Sequence, residues 1–261
     1  MNCKNCDTEV NTPYCPQCGQ KSATEPLNYK SLAQSVMLSF GTIDRGMLRT
    51  LIDLFTQPAR MAAEYVYGRR VTFFAPFQLL FLTATLYMII YFWSGESSDF
   101  EIGNSFSNML TPAVNTFCTK LIRFFQNNRG IMWVFCIPLQ VLVFRMLYKE
   151  IRYRFTWVET CFIAAYFFSQ IIIIELIFVL FNAFFPSYAI NDSYLMLSYL
   201  FFLSYDMKEL TGGTWKKNIF KCIFGQFLFF TVLGFIALFV TIAGFIIYGL
   251  LKQQESLAFL M

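Results

Sequence analysis

Four cysteines near the start of the chain have the spacing of a metal site. Cys3-Lys-Asn-Cys6 and Cys15-Pro-Gln-Cys18-Gly19 are two C-x2-C knuckles separated by eight residues. Each knuckle lets two thiolates reach one tetrahedral ion, and an all-cysteine set is the donor chemistry of structural Zn2+. Gly19 permits the tight turn after the last ligand. Two disulfides or a pair of redox C-x-x-C motifs are the alternative, but no thioredoxin-like βαβ pattern surrounds them. A ribbon this small has almost no core, so its metal must order it. Four cysteines fill every position of a tetrahedral ion and leave none open for catalysis. The chain contains no histidine, which excludes His-based acid–base chemistry, His metal ligands and Ser-His triads. No catalytic residue is expected.

A second set of polar residues lies in apolar surroundings. Glu175 follows four isoleucines, where a carboxylate in a membrane helix costs about 2.5–3.5 kcal/mol on insertion scales. Glu175 with Gln170 and Gln140 could serve a proton or cation relay in a transporter or channel. Equally, a neutral Glu175 could hydrogen-bond to Gln140 or Gln226, the glutamines holding helices together. Cys118, Cys136, Cys161 and Cys222 are scattered in apolar stretches and read as small core residues.

The elements that position these groups follow from composition. The chain has 261 residues, 57% hydrophobic and 14% charged, with 33 Phe. Soluble domains carry roughly 25% charged residues, so the expected class is an all-α polytopic membrane protein. Met1 to Cys18 is polar, so no cleaved signal peptide is expected. The ribbon spans residues 1–21, a linker 22–28, juxtamembrane helices 29–70 and a transmembrane domain 71–261. Tyr29 to Phe40 places Leu32, Val36 and Phe40 at helical spacing. Gly41-Thr-Ile breaks it and Asp44 can cap the next helix. There Met47, Leu48, Leu51, Ile52 and Phe55 form one apolar stripe, opposite Arg49, Thr50, Asp53 and Thr56. Pro58 suits the first turn of a third helix and Gly68 its C-terminal cap. These short amphipathic helices are expected to lie on the membrane surface, with Arg49, Arg69 and Arg70 meeting lipid phosphates.

About five spans follow, near residues 76–93, 131–148, 157–184, 188–205 and 219–251. An amphipathic helix from Ala113 to Asn127 is expected between the first two. The last segment would be roughly 50 Å long against a hydrocarbon core of ~30 Å, so it must tilt or begin at the surface. Eight Lys and Arg precede the first span, four follow the second (Arg145, Lys149, Arg152, Arg154), and four lysines follow the fourth. This bias places the N-terminus in the cytosol and the C-terminus outside. Gly234, Ala237, Thr241 and Gly244 put small residues on one face of the last span, for a neighbouring helix or a second protomer. The formal charge of +4 falls to about +2 once four thiolates and one zinc are counted. Only Lys4 and Lys21 lie near the ribbon, so nucleic acid is not an expected partner.

Gly46-Met-Leu-Arg49-Thr50, Pro58 and Tyr67-Gly68-Arg69-Arg70-x-x-Phe73-x-x-Pro76, behind a CPxCG-type ribbon, resemble a family of uncharacterised bacterial membrane proteins that pair an N-terminal zinc ribbon with a multi-span domain of unknown function. The resemblance runs through about Ile90 and implies a bacterial inner-membrane location but no activity. Asp7 stands where such ribbons often have Gly, which weakens the turn, and the segment before Gly46 lacks a histidine that many relatives carry. The expected role is non-enzymatic: an integral membrane protein whose cytosolic ribbon binds a protein partner, with the lipid bilayer as its surroundings. A transporter or channel using the polar site at Glu175 is the alternative.

Overall fold

In the computed structural model, the described residues are 1–37, 46–94, 116, 119, 120, 124, 129–188, 190 and 192–258. They form α1 (Tyr29–Met37), α2 (Met47–Thr56), α3 (Pro58–Tyr67), α4 (Pro76–Trp93), α5 (Arg129–Leu147), α6 (Lys149–Arg154), α7 (Trp157–Phe184), α8 (Asp192–Thr211) and α9 (Trp215–Ala258), with a 3-10 turn at Pro186–Tyr188. Among the described residues there is no strand. The ribbon holds only two antiparallel bridge pairs, Asn2 with Glu9 and Tyr14 with Lys21.

Helices α4 and α7 have the bounds that hydropathy and flanking charge predict. Two local signals set the start of α7. Thr156 accepts from the Glu159 N–H through its hydroxyl, and the Glu159 carboxylate accepts from the Thr156 N–H at 2.8 Å, which satisfies two end donors reciprocally. The short α6 was not expected. The helix expected at 113–127 falls outside the described residues apart from isolated positions, as do Cys118, Phe40 and Asp44. Among the described residues, three helices are long and apolar enough to cross a membrane: α4, α7, and α9 from Trp215 to Val240; the apolar part of α5, Met132–Leu147, is shorter. Helix α8, where the fourth span is expected near 188–205, is not among them and carries Asp206, Lys208 and Glu209 in its last turns.

The long helix α7 is the centre of the bundle. Its Phe162, Ile163, Tyr166, Phe167 and Ile172 are almost wholly buried. Lipid is as apolar as these side chains, so burial against protein gains little hydrophobic energy, and close packing decides the arrangement. Phe77 of α4 meets Phe162 edge-on at 5.3 Å, and Tyr65 of α3 meets Tyr166 edge-on at 5.7 Å. These are geometries that aromatic quadrupoles favour. Arg154 Nε donates to the Tyr67 hydroxyl at 2.7 Å, and the Tyr205 hydroxyl donates to the Thr56 carbonyl at 3.1 Å. Helix α6, the end of α8 and the α2–α3 joint therefore share one end of the bundle.

Helices α2 and α3 pack on that end. Thr50 and Leu54 of α2 and Ala59, Met61 and Ala62 of α3 are buried. Thr50 was expected on the polar side of α2; it sits at the centre of the buried side instead. Its hydroxyl donates to the Gly46 carbonyl at 2.8 Å and accepts from the Phe74 N–H at 2.8 Å, so it is satisfied without water. Of the apolar stripe, Leu48 and Ile52 remain 72% and 56% exposed. Helix α2 thus presents one side to the bundle and an apolar strip outward.

Candidate metal centre and its clasp on the joint

The four ligand sulfurs of Cys3, Cys6, Cys15 and Cys18 lie within 4.8 Å of one another. Cys3 and Cys18 Sγ are 3.6 Å apart, Cys6 and Cys15 Sγ 3.5 Å, and all four thiols are free of disulfides. A tetrahedral ion held by bonds of about 2.3 Å sets sulfurs about 3.8 Å apart, so these residues can hold one metal ion. The two knuckles repeat one geometry. Asp7 N–H donates to the Cys3 carbonyl and Gly19 N–H to the Cys15 carbonyl, each at 2.9 Å. Asp7 and Gly19 both have left-handed backbones, at φ 60° and 75°. Aspartate tolerates this conformation better than most side chains, so the departure from Gly at position 7 leaves the turn intact.

Electrostatics around the sulfurs are uneven. The Thr8 hydroxyl, 3.3 Å from the Cys6 sulfur, and the Thr8 backbone lower the Cys6 thiol to about 6. Loss of solvent pushes Cys18 up to about 12. Four sulfurs this close cannot all ionise without a cation among them. Apart from the cysteines, Val10 is the buried hydrophobic residue of the ribbon, too little to hold it folded alone.

The ribbon is fastened to the loop after α3, and each knuckle supplies one amide side chain. Asn5 Oδ1 accepts from the Thr72 N–H at 3.1 Å and the Thr72 hydroxyl at 2.9 Å. Gln20 Oε1 accepts from the N–H groups of Arg70 and Val71 at 3.1 and 3.3 Å, while its Nε2 donates to the Gly68 carbonyl at 2.8 Å. Both amides are buried. A methylene of Lys4 occupies the space over Gly68, 2.8 Å from where a Cβ would stand. Gly68 caps α3 at φ 119°, a conformation and a closeness that only glycine accepts.

Arg69 and Arg70 extend the clasp. Arg69 Nε donates to the Asn5 carbonyl at 3.2 Å, and its Nη1 pairs with Glu64 at 2.9 Å. Arg70 Nη2 donates to the Glu25 carbonyl at 2.8 Å, and burial lowers its guanidinium from the usual range. Arg49 stays exposed, 3.6 Å from Asp53 and 5.9 Å from the centre of the Phe73 ring. On the other side of the loop, α2 begins against its backbone: a Cβ on Gly46 would stand 2.7 Å from the Thr72 carbonyl oxygen. The Tyr166 hydroxyl of α7 donates to the Phe74 carbonyl at 2.6 Å. Residues 68–75 are thus gripped by the ribbon, α2 and α7 together.

Residues 44–88 match a family described as Protein of unknown function (DUF3667). No curated protein and no solved structure matches the chain. The DUF3667 stretch contains Gly46, Thr50, Gly68, Arg69, Arg70 and Phe73, so the chain's likeness to that family covers the joint and its grip on residues 68–75. The cysteine cluster lies outside the matched stretch and fits the same kind of protein, one with a ribbon-like N-terminal motif.

The remaining expected residues are dispersed. Gln170 lies under α2, its Nε2 donating to the Leu54 carbonyl at 2.9 Å. Gln140 is buried on α5, and neither atom of its amide has a hydrogen-bond partner among the described residues. Glu175 is buried on α7. Gln226 accepts from the Tyr199 hydroxyl at 2.9 Å. On α9, among the described residues and apart from the adjoining helix backbone, no atom stands within 4 Å of a Cβ built on Gly234, and Ala237 is exposed; the side chains of Thr241 and Gly244 lie outside the described ones. The sequence reading missed Asn5 and Gln20, which as amides inside a ribbon resemble any surface residue, and Asp206, which shares a helix end with Lys208 and Glu209.

Proposed function

We propose that the chain is an adaptor of the bacterial inner membrane, with a zinc-bound ribbon on the cytosolic side that presents a binding surface to a protein partner. The clasp of Asn5 and Gln20 on residues 68–72 carries this reading, because it gives the ribbon a defined pose on the bundle rather than a free tether. Zinc suits the all-thiolate site, and its part is to close the ribbon around its ligands. Tyr14 is 62% exposed on the ribbon and offers an amphipathic anchor of the kind that interfaces favour. A cytosolic N-terminus is supported by the basic residues of α6 and the lysines after α8, which sit at the ribbon's end of the bundle. The exposed Leu48 and Ile52, beside Arg49, suit contact with the headgroup layer; Arg69 and Arg70 would join that contact only with donors left over from the ribbon.

Affinity capture from detergent-solubilised native membranes tests the adaptor reading. A partner should be recovered with the intact chain and lost with Tyr14→Ala at unchanged zinc content. Recovery that ignores both Tyr14 and the metal ligands would overturn it. The buried Glu175, Gln170 and Gln140 favour a second reading, a transporter or channel. Ion or solute flux in liposomes that disappears with Glu175→Gln would support that reading, and its absence would remove it.

A further inference from the structure

Buried polar side chains form a seam between α5, α7, α8 and α9. Helix α9 buries Asn218, Cys222 and Gln226 at four-residue spacing, which places them on one face. The hydroxyl of Tyr148, between α5 and α6, lies 3.2 Å from the Cys222 sulfur. The Tyr199 hydroxyl of α8 donates to Gln226 at 2.9 Å. At the ribbon end of this seam stands Asp206. It is 0% exposed, and neither carboxylate oxygen receives a hydrogen bond of ordinary geometry. The Gln170 amide lies beside it; its Nε2 gives one hydrogen to the Leu54 carbonyl and keeps a second on the Asp206 side, while its Oε1 lacks a donor. The charged and titratable groups acting there are Glu209 on the same helix and Cys222 on α9. Among the described residues, no lysine or arginine acts on Asp206 directly.

An ionised carboxylate in this position would have neither bulk water nor a cation, and at most one amide hydrogen of Gln170; such a charge is discharged by taking up a proton. Glu209 lies three residues further along, which puts it on the same side of α8 at about 5–6 Å between Cβ atoms. Unlike Asp206 it is exposed. It lines a cavity of about 290 Å³ with Tyr67, Arg60 and Arg154. Its Oε2 accepts from the Ala59 N–H at the start of α3, at 3.2 Å. The arrangement pairs an acid that water can reach with one that water cannot.

We propose that Asp206 is a buried proton-binding site, loaded from the cavity at the α3–α8 junction through Glu209. In the loading step the O–H bond of protonated Glu209 breaks and an O–H bond forms on the Asp206 carboxylate. Glu209, left as a carboxylate, recovers a proton from water in the cavity. No electron moves and no other group changes charge. The site is independent of the metal centre and of the adaptor reading.

The test uses the full chain in liposomes and infrared difference spectroscopy. Wild type should show the carbonyl stretch of a protonated carboxylic acid at neutral pH, and Asp206→Asn should lose it. Glu209→Gln should keep the band but slow its decay after an alkaline pH jump about tenfold or more, the low side of what a positioned proton-transfer group contributes. Should Asp206→Asn not fold, the wild type decides. A membrane-permeant carbodiimide, which reacts with protonated carboxylic acids in apolar surroundings, should leave an adduct on the Asp206 peptide. An unchanged spectrum in Asp206→Asn, or an adduct found on other carboxyls but not on Asp206, would overturn the site. An unchanged decay in Glu209→Gln would overturn the loading route.

Discussion

Removing the Gln20 side chain should release the ribbon from the bundle without emptying the metal site. Gln20→Ala deletes one local hydrogen bond, to the Thr24 hydroxyl, and the three that reach the loop after α3, to the N–H groups of Arg70 and Val71 and to the Gly68 carbonyl; those three hold the ribbon to the bundle. At about 0.5–1.5 kcal/mol each they sum to about 1.5–4.5 kcal/mol, or about tenfold to a thousandfold in the docked-to-undocked ratio. The conservative Gln20→Glu keeps the acceptor but not the donor to Gly68, and should fall between wild type and Gln20→Ala. The two clasp residues hold different amides, so hydrogen exchange read by mass spectrometry on the full chain in nanodiscs can separate them. Gln20→Ala should speed exchange at Arg70 and Val71. Asn5→Ala, which deletes two bonds to Thr72, should speed it at Thr72. Chelating the metal should speed all three together, because the ribbon has almost no core of its own. Unchanged exchange at residues 70–72 in an Asn5→Ala, Gln20→Ala double variant that still holds its metal would refute the clasp.

Three further outcomes are expected. Gly46→Ala forces a methyl group toward backbone at 2.7 Å and should cost about 1–3 kcal/mol, seen as a lower thermal midpoint in detergent. Thr50→Val strands the buried Phe74 N–H, at about 1–3 kcal/mol, while Thr50→Ser restores its partner and should recover most of the loss. Elemental analysis should find one zinc per chain, lost in a Cys15→Ser, Cys18→Ser variant. A metal-free native protein with oxidised cysteines would count against the zinc assignment.

Much of this protein is legible along the chain. The knuckle spacing announces a cysteine cluster because tetrahedral coordination needs two close thiolates from each of two turns. The bounds of α4 and α7 follow from apolar runs that end at polar residues, since lipid tolerates no other pattern. Pro58 and Gly68 mark the ends of α3 through backbone properties that no neighbour alters. What the chain by itself does not determine is which polar residues are wet. Thr50 shares a helical face with Arg49 and Asp53 in any local reading, yet it is buried, because Gly46 lets the loop backbone lie against the start of α2. Arg69 and Arg70 read as headgroup contacts beside a membrane span; the fold turns them toward Asn5 and Glu25, more than forty residues away in sequence. Asp206 reads as one charge among several at a helix end until α7 and α9 pack against it with Gln170 and Cys222. Helical periodicity reports only which residues share a face. What covers that face is decided by segments far away in the chain, and the cost of burying a polar atom depends on what they bring.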